Sequence, residues 1–394
     1  MMVKKIYRLL LLSGLALVCN NCVEEFDFGT QNFEDILVVD ARITDELKFQ
    51  KVALSRTFRL ENEGPAPEIG ASVSVTDDRQ NVFQFSETTE GQYISNEAFA
   101  AESGVNYQLQ ITTLNGKSYA SRAVTLPQPT PIDELYVERI INDDGEEGVG
   151  FFVDSFDPTG NAFFYRYEYE ETYQIIPPFW FDLDIKVISR DPPEIDVVSR
   201  EREERICYKN EFSNRIIINE TTSLSENRVE RFMVQFLASS DLKLRDRYSI
   251  LVKQFVQTPE AHEFFDTLSN FSDLESLFSQ LQPGFIVGNI LSVENPNENV
   301  LGFFELTPIS EKRVFVNRRD FFPESTKPDY PANCSFFEES EDEPLKVIDA
   351  VENRGLKLIS VGAGFIYDQY TFTFKICSDC NVLGSNVRPD FWVD

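Results

Sequence analysis

Between about residues 36 and 126, apolar and polar positions alternate with a period of two. Val52 and Leu54 alternate with polar neighbours, as do Val73 and Val75, Phe83 and Phe85, and Tyr107, Leu109 and Ile111. That period places one set of side chains inward and the other in water, so it predicts a train of half-buried strands. Turn chemistry falls between them, at Asp77-Asp78, Glu90-Gly91, Ser103-Gly104 and Asn115-Gly116. Strands at this spacing predict a small β-sandwich over residues 36–127.

Three prolines in five residues, within Leu126-Pro127-Gln128-Pro129-Thr130-Pro131, break the pattern and mark a connector. A second domain, residues 132–394, is also expected to be mainly β. Its predicted strands are Phe151 to Val153, Phe163 to Tyr173, Tyr248 to Phe255, Val314 to Asn317 and Tyr370 to Cys377. In the last of these, Tyr370, Phe372, Phe374 and Ile376 share one face. Asp143-Asp144-Gly145 reads as a hairpin turn, because its acids lack the spacing of a calcium loop.

The period changes near residues 259–281. Thr258 suits an N-cap, Pro259 the first helical position and Glu260 the positive end of a helix. Ala261, Phe264, Phe265 and Leu268 make one apolar stripe. Leu274, Leu277, Phe278 and Leu281 make another, ended by Pro283-Gly284. Two short helices packed on the sandwich are predicted. The acidic stretch Glu338 to Glu343 reads as a solvated loop.

The first 21 residues have a different pattern: basic Lys4, Lys5 and Arg8, an apolar run from Leu9 to Val18, then cysteines at 19 and 22. This is the order of a signal peptide, and the run is about half of what a membrane span needs. Cys22, rather than Cys19, is the expected acylation site, followed by an acidic tether over residues 22–35. Several acyl chains on one cysteine would anchor the protein almost permanently.

Charge narrows the choice of function. The chain has 66 acidic and 36 basic residues, a net charge of −30. Removing the leader takes away three bases and no acid, which brings the chain near −33. Such a balance argues against nucleic acid or an anionic surface as partner, since both require a basic face.

Beyond the leader and anchor, Cys207, Cys334, Cys377 and Cys380 remain, and in an exported chain an even set reads first as disulfides, with three possible pairings. Cys377-Ser378-Asp379-Cys380 also has redox or zinc-knuckle spacing, but with no second such pair and one histidine neither reading leads, and no cofactor or metal is expected. That histidine, His262, lies beside core positions of the predicted helix. No nucleophile elbow, HExxH, phosphate loop or dinucleotide fingerprint is present, so an enzyme is not expected. Pro177-Pro178-Phe179-Trp180-Phe181 has two readings, a plug in the core or a rigid aromatic patch offered to a ligand or partner.

Two resemblances follow. Gly70-Ala71-x-Val73-x-Val75, Gly91-x-Tyr93 and Gly104-x-x-Tyr107-x-Leu109 resemble the carboxypeptidase regulatory-like, transthyretin-type sandwich. A second resemblance rests on several segments: Cys22-Val23-Glu24-Glu25-Phe26-Asp27, the block Tyr165 to Tyr173, Leu224 to Arg228, and Leu244-Arg245-Asp246-Arg247-Tyr248 running on to Val252. Pro283-Gly284-x-x-x-Gly288-Asn289-Ile290 with Asn295-Pro296, Cys377-x-x-Cys380 and Pro389-x-Phe391-Trp392 complete it. Together they resemble the Bacteroidota lipoproteins called the domain-of-unknown-function 4249 family. That resemblance implies an outer-membrane lipoprotein facing the cell exterior and acting as accessory to a TonB-dependent receptor in nutrient uptake; it brings no catalytic residues. A structural or adhesive envelope protein is the alternative, and a surface polymer hydrolase a third reading.

Overall fold

A computed structural model describes residues 35–58, 64–272, 286–364 and 367–393. The fold is mainly β, with several sheets and short helices. The leader, Cys19, Cys22 and the second apolar stripe at Leu274 to Leu281 lie outside the described residues.

The alternating positions of the first region do face one core: Val52, Leu54, Val73, Val75, Leu109 and Ile111 are all buried. Their sheet has eleven strands. Its path runs Ile290–Ser292, Ser118–Ser121, Asn106–Thr112, Ser72–Asp77, Val82–Thr89, Gln92–Ser95, Lys51–Arg56, Leu37–Thr44 and Val300–Thr307, with two short strands alongside. The connector at 126–131 marks where the chain leaves this sheet, but the sheet is completed by two strands from far downstream. The expected boundaries, 36–127 and 132–394, therefore need correction: residues 290–307 supply strands to the first sheet. Leu37–Thr44 and Val300–Thr307 pair in parallel. Such a pairing carries no local signal, since parallel neighbours are joined by long crossovers.

The two ends of the path nearly meet, so the sheet is close to a barrel. The Asn289 side chain closes the gap by imitating a strand residue: its Nδ2 donates to Phe304 O (2.8 Å), and its Oδ1 accepts from Phe304 N (2.8 Å). The Asn289 carbonyl accepts from Arg122 N at 2.8 Å. Gly288 permits this approach, because a Cβ there would lie 1.7 Å from Gly302 O. The Gly288-Asn289 motif is thus a seam in the barrel.

The next two sheets share one core. Glu134–Ile141, Glu147–Phe156 and Arg228–Ala238 form one; Phe164–Ile175, Arg247–Gln257 and Ile309–Asn317, with two short strands on the far edge of Phe164–Ile175, form the other. Val149, Phe151, Val153, Tyr165, Tyr167, Ile250 and Val252 are buried between them. The 142–146 turn is a hairpin as read: Asn142 Oδ1 accepts from the N–H groups of Asp144 and Glu146. The helix Pro259–Ser272 starts at its expected cap, with the Thr258 hydroxyl accepting from Ala261 N (3.2 Å), and buries Ala261 and Phe264 against Phe303.

A smaller third core lies under Phe336–Ser340, Gln369–Phe374 and Leu356–Gly362, joined by the helix Pro344–Glu352 and the hairpin Leu183–Arg190/Pro193–Ser199. Two expectations are corrected here. Glu338 and Glu339 belong to an edge strand, and the strand expected to reach Cys377 ends at Phe374, passing into a 3-10 turn over Lys375–Cys377. Tyr370 and Phe372 are buried, while Phe374 projects past the core.

Candidate functional site

The segment Pro177 to Phe181 links the long strand Phe164–Ile175 to the hairpin. Its aromatic residues divide between core and surface. Phe181 packs into the third core, with Ile185. Trp180 is half-buried beneath the Arg205 guanidinium, 5.4 Å from its ring centroid. Phe179 is turned outward and meets the Phe336 ring edge-on (4.9 Å, 84°). Phe179 is 36% exposed and Phe336 53%, so the pair offers an aromatic surface to solvent.

The surface is held from behind. Phe179 N donates to Cys377 O (3.1 Å), and Cys377 forms a disulfide with Cys334, two residues before Phe336. Cys207 pairs with Cys380. The Cys377-x-x-Cys380 motif therefore does not close on itself, and each sulfur joins a distant strand or loop. Between them, Asp379 is fully buried and accepts from Arg202 (2.7 Å), while Arg200 donates to the Ser378 hydroxyl (2.8 Å) and to Glu204 (2.6 Å). All four sulfurs are bridged, so neither cysteine of this motif is a free thiol. Among the described residues, no group of three His, Cys, Asp or Glu side chains comes together to hold a metal.

His262 lies apart from this surface. Its ring packs on Phe164 (4.7 Å), and its Nε2 is 3.9 Å from Glu220. Burial lowers its pKa, outweighing the opposing pull of Glu220 and Asp266. The arrangement makes it a neutral packing residue at pH 7.

A second polar cluster sits where the first sheet meets the second domain. Glu168 accepts from both Arg42 (2.5 Å) and Arg166 (3.0 Å), and Glu305 accepts from Arg166 (2.6 Å) and Gln257 (2.9 Å). Phe255 lies under both guanidinium groups. Burial raises the Glu168 pKa, but the two arginines outweigh it and hold the carboxyl below its usual range. The cluster is a weld between domains, with two carboxylates matched to two arginines.

Sequence reasoning missed Phe336 and Arg205 as members of the aromatic surface. Cys334-Ser335-Phe336 carried a hint, but strand pairing with Gln369–Phe374 and the Cys334–Cys377 disulfide bring it to Phe179, and spacing could not choose among three pairings.

No helix of the described residues is long and apolar enough to cross a membrane. A search of the curated proteins found no match. One family matches over residues 23–313, which takes in the Tyr165 to Tyr173 and Leu244 to Val252 blocks and leaves Cys377-x-x-Cys380 and Pro389-x-Phe391-Trp392 beyond its end. On that match, which covers well over half of the chain, the protein belongs to the family described as Domain of unknown function (DUF4249).

Proposed function

We propose that this protein is a surface lipoprotein of the outer membrane, tethered through acylated Cys22, that works by binding rather than catalysis, as accessory partner of a TonB-dependent receptor in nutrient uptake. The observation that carries the binding reading is the Phe179–Phe336 pair: two exposed rings on a loop and strand fastened by the Cys334–Cys377 disulfide. Rigid aromatic groups lose little freedom on docking and recur at the centres of interfaces. Export is supported by the leader-like N-terminus and by two disulfides, which persist in oxidising compartments. The family match begins at residue 23, directly after Cys22. We read the first sheet as an enlarged regulatory-like, transthyretin-type sandwich serving as a spacer between the anchor and the binding domains.

The test is mass spectrometry of the natively anchored protein after mild-detergent purification. An acylated N-terminal peptide starting at Cys22, with a co-purifying outer-membrane receptor, is the expected result. An unacylated N-terminus would refute the anchor, and an acylated protein that comes down alone would shift the reading to an adhesive or structural envelope role.

A further inference from the structure

The strand Arg247–Gln257 begins, and the strand Ile309–Asn317 ends, at the rim of a cleft of about 800 Å³. Five cations line it, Arg245, Arg247, Arg318, Arg319 and Lys327, against two acids, Asp246 and Asp320. This inverts the balance of a chain whose acids outnumber its bases by 66 to 36.

The way these cations are held is more telling than their number. Lys327 pairs with Asp246 at 2.5 Å. The arginines, among the described residues, bond only to neutral acceptors. Arg245 donates to Pro328 O; Arg247 to Val393 O (2.7 Å) and Asn317 Oδ1 (2.5 Å). Arg318 donates to Ser239 O (2.6 Å), Ser325 Oγ (2.9 Å) and Thr326 O (2.9 Å). Arg318 is 8% exposed, and burial lowers its pKa with no carboxylate acting against it. Among the described residues, the buried Nε atoms of Arg245 and Arg318 have no hydrogen-bond partner. Arg319 is exposed, and no side-chain partner is found for it among the described residues.

A buried, hydrogen-bonded arginine without a counter-charge is costly, and a bound anion would complete it. Guanidinium groups match carboxylate and phosphate oxygens in two-point contacts. Phe322 and Pro323 add an apolar wall, and the volume falls in the range of small-ligand sites. We propose that this cleft binds a small organic or inorganic oxyanion bearing at least two negative charges, held by Arg245, Arg318 and Arg319. The site stands apart from the Phe179–Phe336 surface, and its existence does not depend on a receptor partner.

Isothermal titration of the full chain at low salt, with citrate and with inorganic pyrophosphate as probes, tests it. Saturable one-to-one binding is expected for at least one probe, and the preferred probe tells carboxylate from phosphate. Arg319→Glu should weaken that binding roughly tenfold or more, since a charge-assisted contact becomes a repulsion. Arg319→Lys should keep part of it. Arg79→Glu, the same charge change on the first sheet's surface, should leave it within about twofold, because separated exposed charges are screened. Saturable binding of neither probe would overturn the proposal, as would equal weakening by Arg79→Glu and Arg319→Glu.

Discussion

Two arginine clusters in this acidic protein differ in one respect that separates structure from recognition. At the junction, Arg42 and Arg166 face Glu168 and Glu305, and the charges cancel across a contact that is buried at Arg166 and Glu305 and half-buried at Arg42 and Glu168. At the cleft, Arg245, Arg247 and Arg318 are held by carbonyl, amide and hydroxyl oxygens and, among the described residues, pair with no carboxylate. Both clusters are ordered by hydrogen bonds, so order alone does not tell them apart. Counter-charge does: a neutralised cluster has done its electrostatic work within the chain, whereas an uncompensated one is prepared for a ligand.

The comparison breaks most visibly at the junction. Glu305→Ala leaves Arg166 buried without its nearest carboxylate, and should cost about 3–5 kcal/mol in chemical denaturation. Pairing it with Arg166→Met should recover much of that loss, and a double mutant as unstable as the single one would contradict the weld. Next in size, Cys207→Ser opens a disulfide between residues 173 apart, and should cost about 2–4 kcal/mol, read from the same denaturation curves. The aromatic surface should persist in that variant, because Cys334–Cys377 fastens it independently.

A smaller effect concerns pH. The Glu168 carboxyl is held below its usual range in the folded protein, so its contribution is complete above the unfolded pKa and is lost as pH falls through the folded one. Glu211 behaves alike: burial raises its pKa, but hydrogen bonds from Lys243, Lys209 and Tyr173 hold it down at about 2. Wild type should therefore lose stability as pH drops from about 5 toward 2. Glu168→Gln should be less stable at neutral pH and show a shallower acid loss; parallel curves would contradict the assignment. The smallest effect sharpens the contrast. Arg319→Ala should change stability by no more than about 0.5 kcal/mol, as for surface positions with no special partner.

Local features of this fold were legible because local physics sets them. Alternation gave the strands around Val73 and Leu109, Asp143-Asp144-Gly145 gave a hairpin, and Thr258 gave a helix start. The barrel seam was hidden. Val300–Thr307 is buried nearly throughout and so has no alternation, and its partner Leu37–Thr44 is near the other end of the chain. The cleft was hidden for a related reason. Arg245-Asp246-Arg247 and Arg318-Arg319-Asp320 each look balanced by a neighbouring acid, and only the meeting of two strand ends shows that those acids do not pair with the arginines. The aromatic loop was half legible: its rings were visible in sequence, but which ring faces solvent depends on the disulfide behind it.

The account rests most heavily on the Phe179–Phe336 surface as the docking face of an anchored lipoprotein. Its direct test is receptor recovery in mild-detergent co-purification, comparing wild type with Phe179→Ser/Phe336→Ser at matched expression and fold. The account predicts a stoichiometric outer-membrane receptor with wild type and a loss of about tenfold or more with the double variant, the scale of an aromatic anchor at an interface. Equal recovery from both proteins, or no receptor with either, would contradict it.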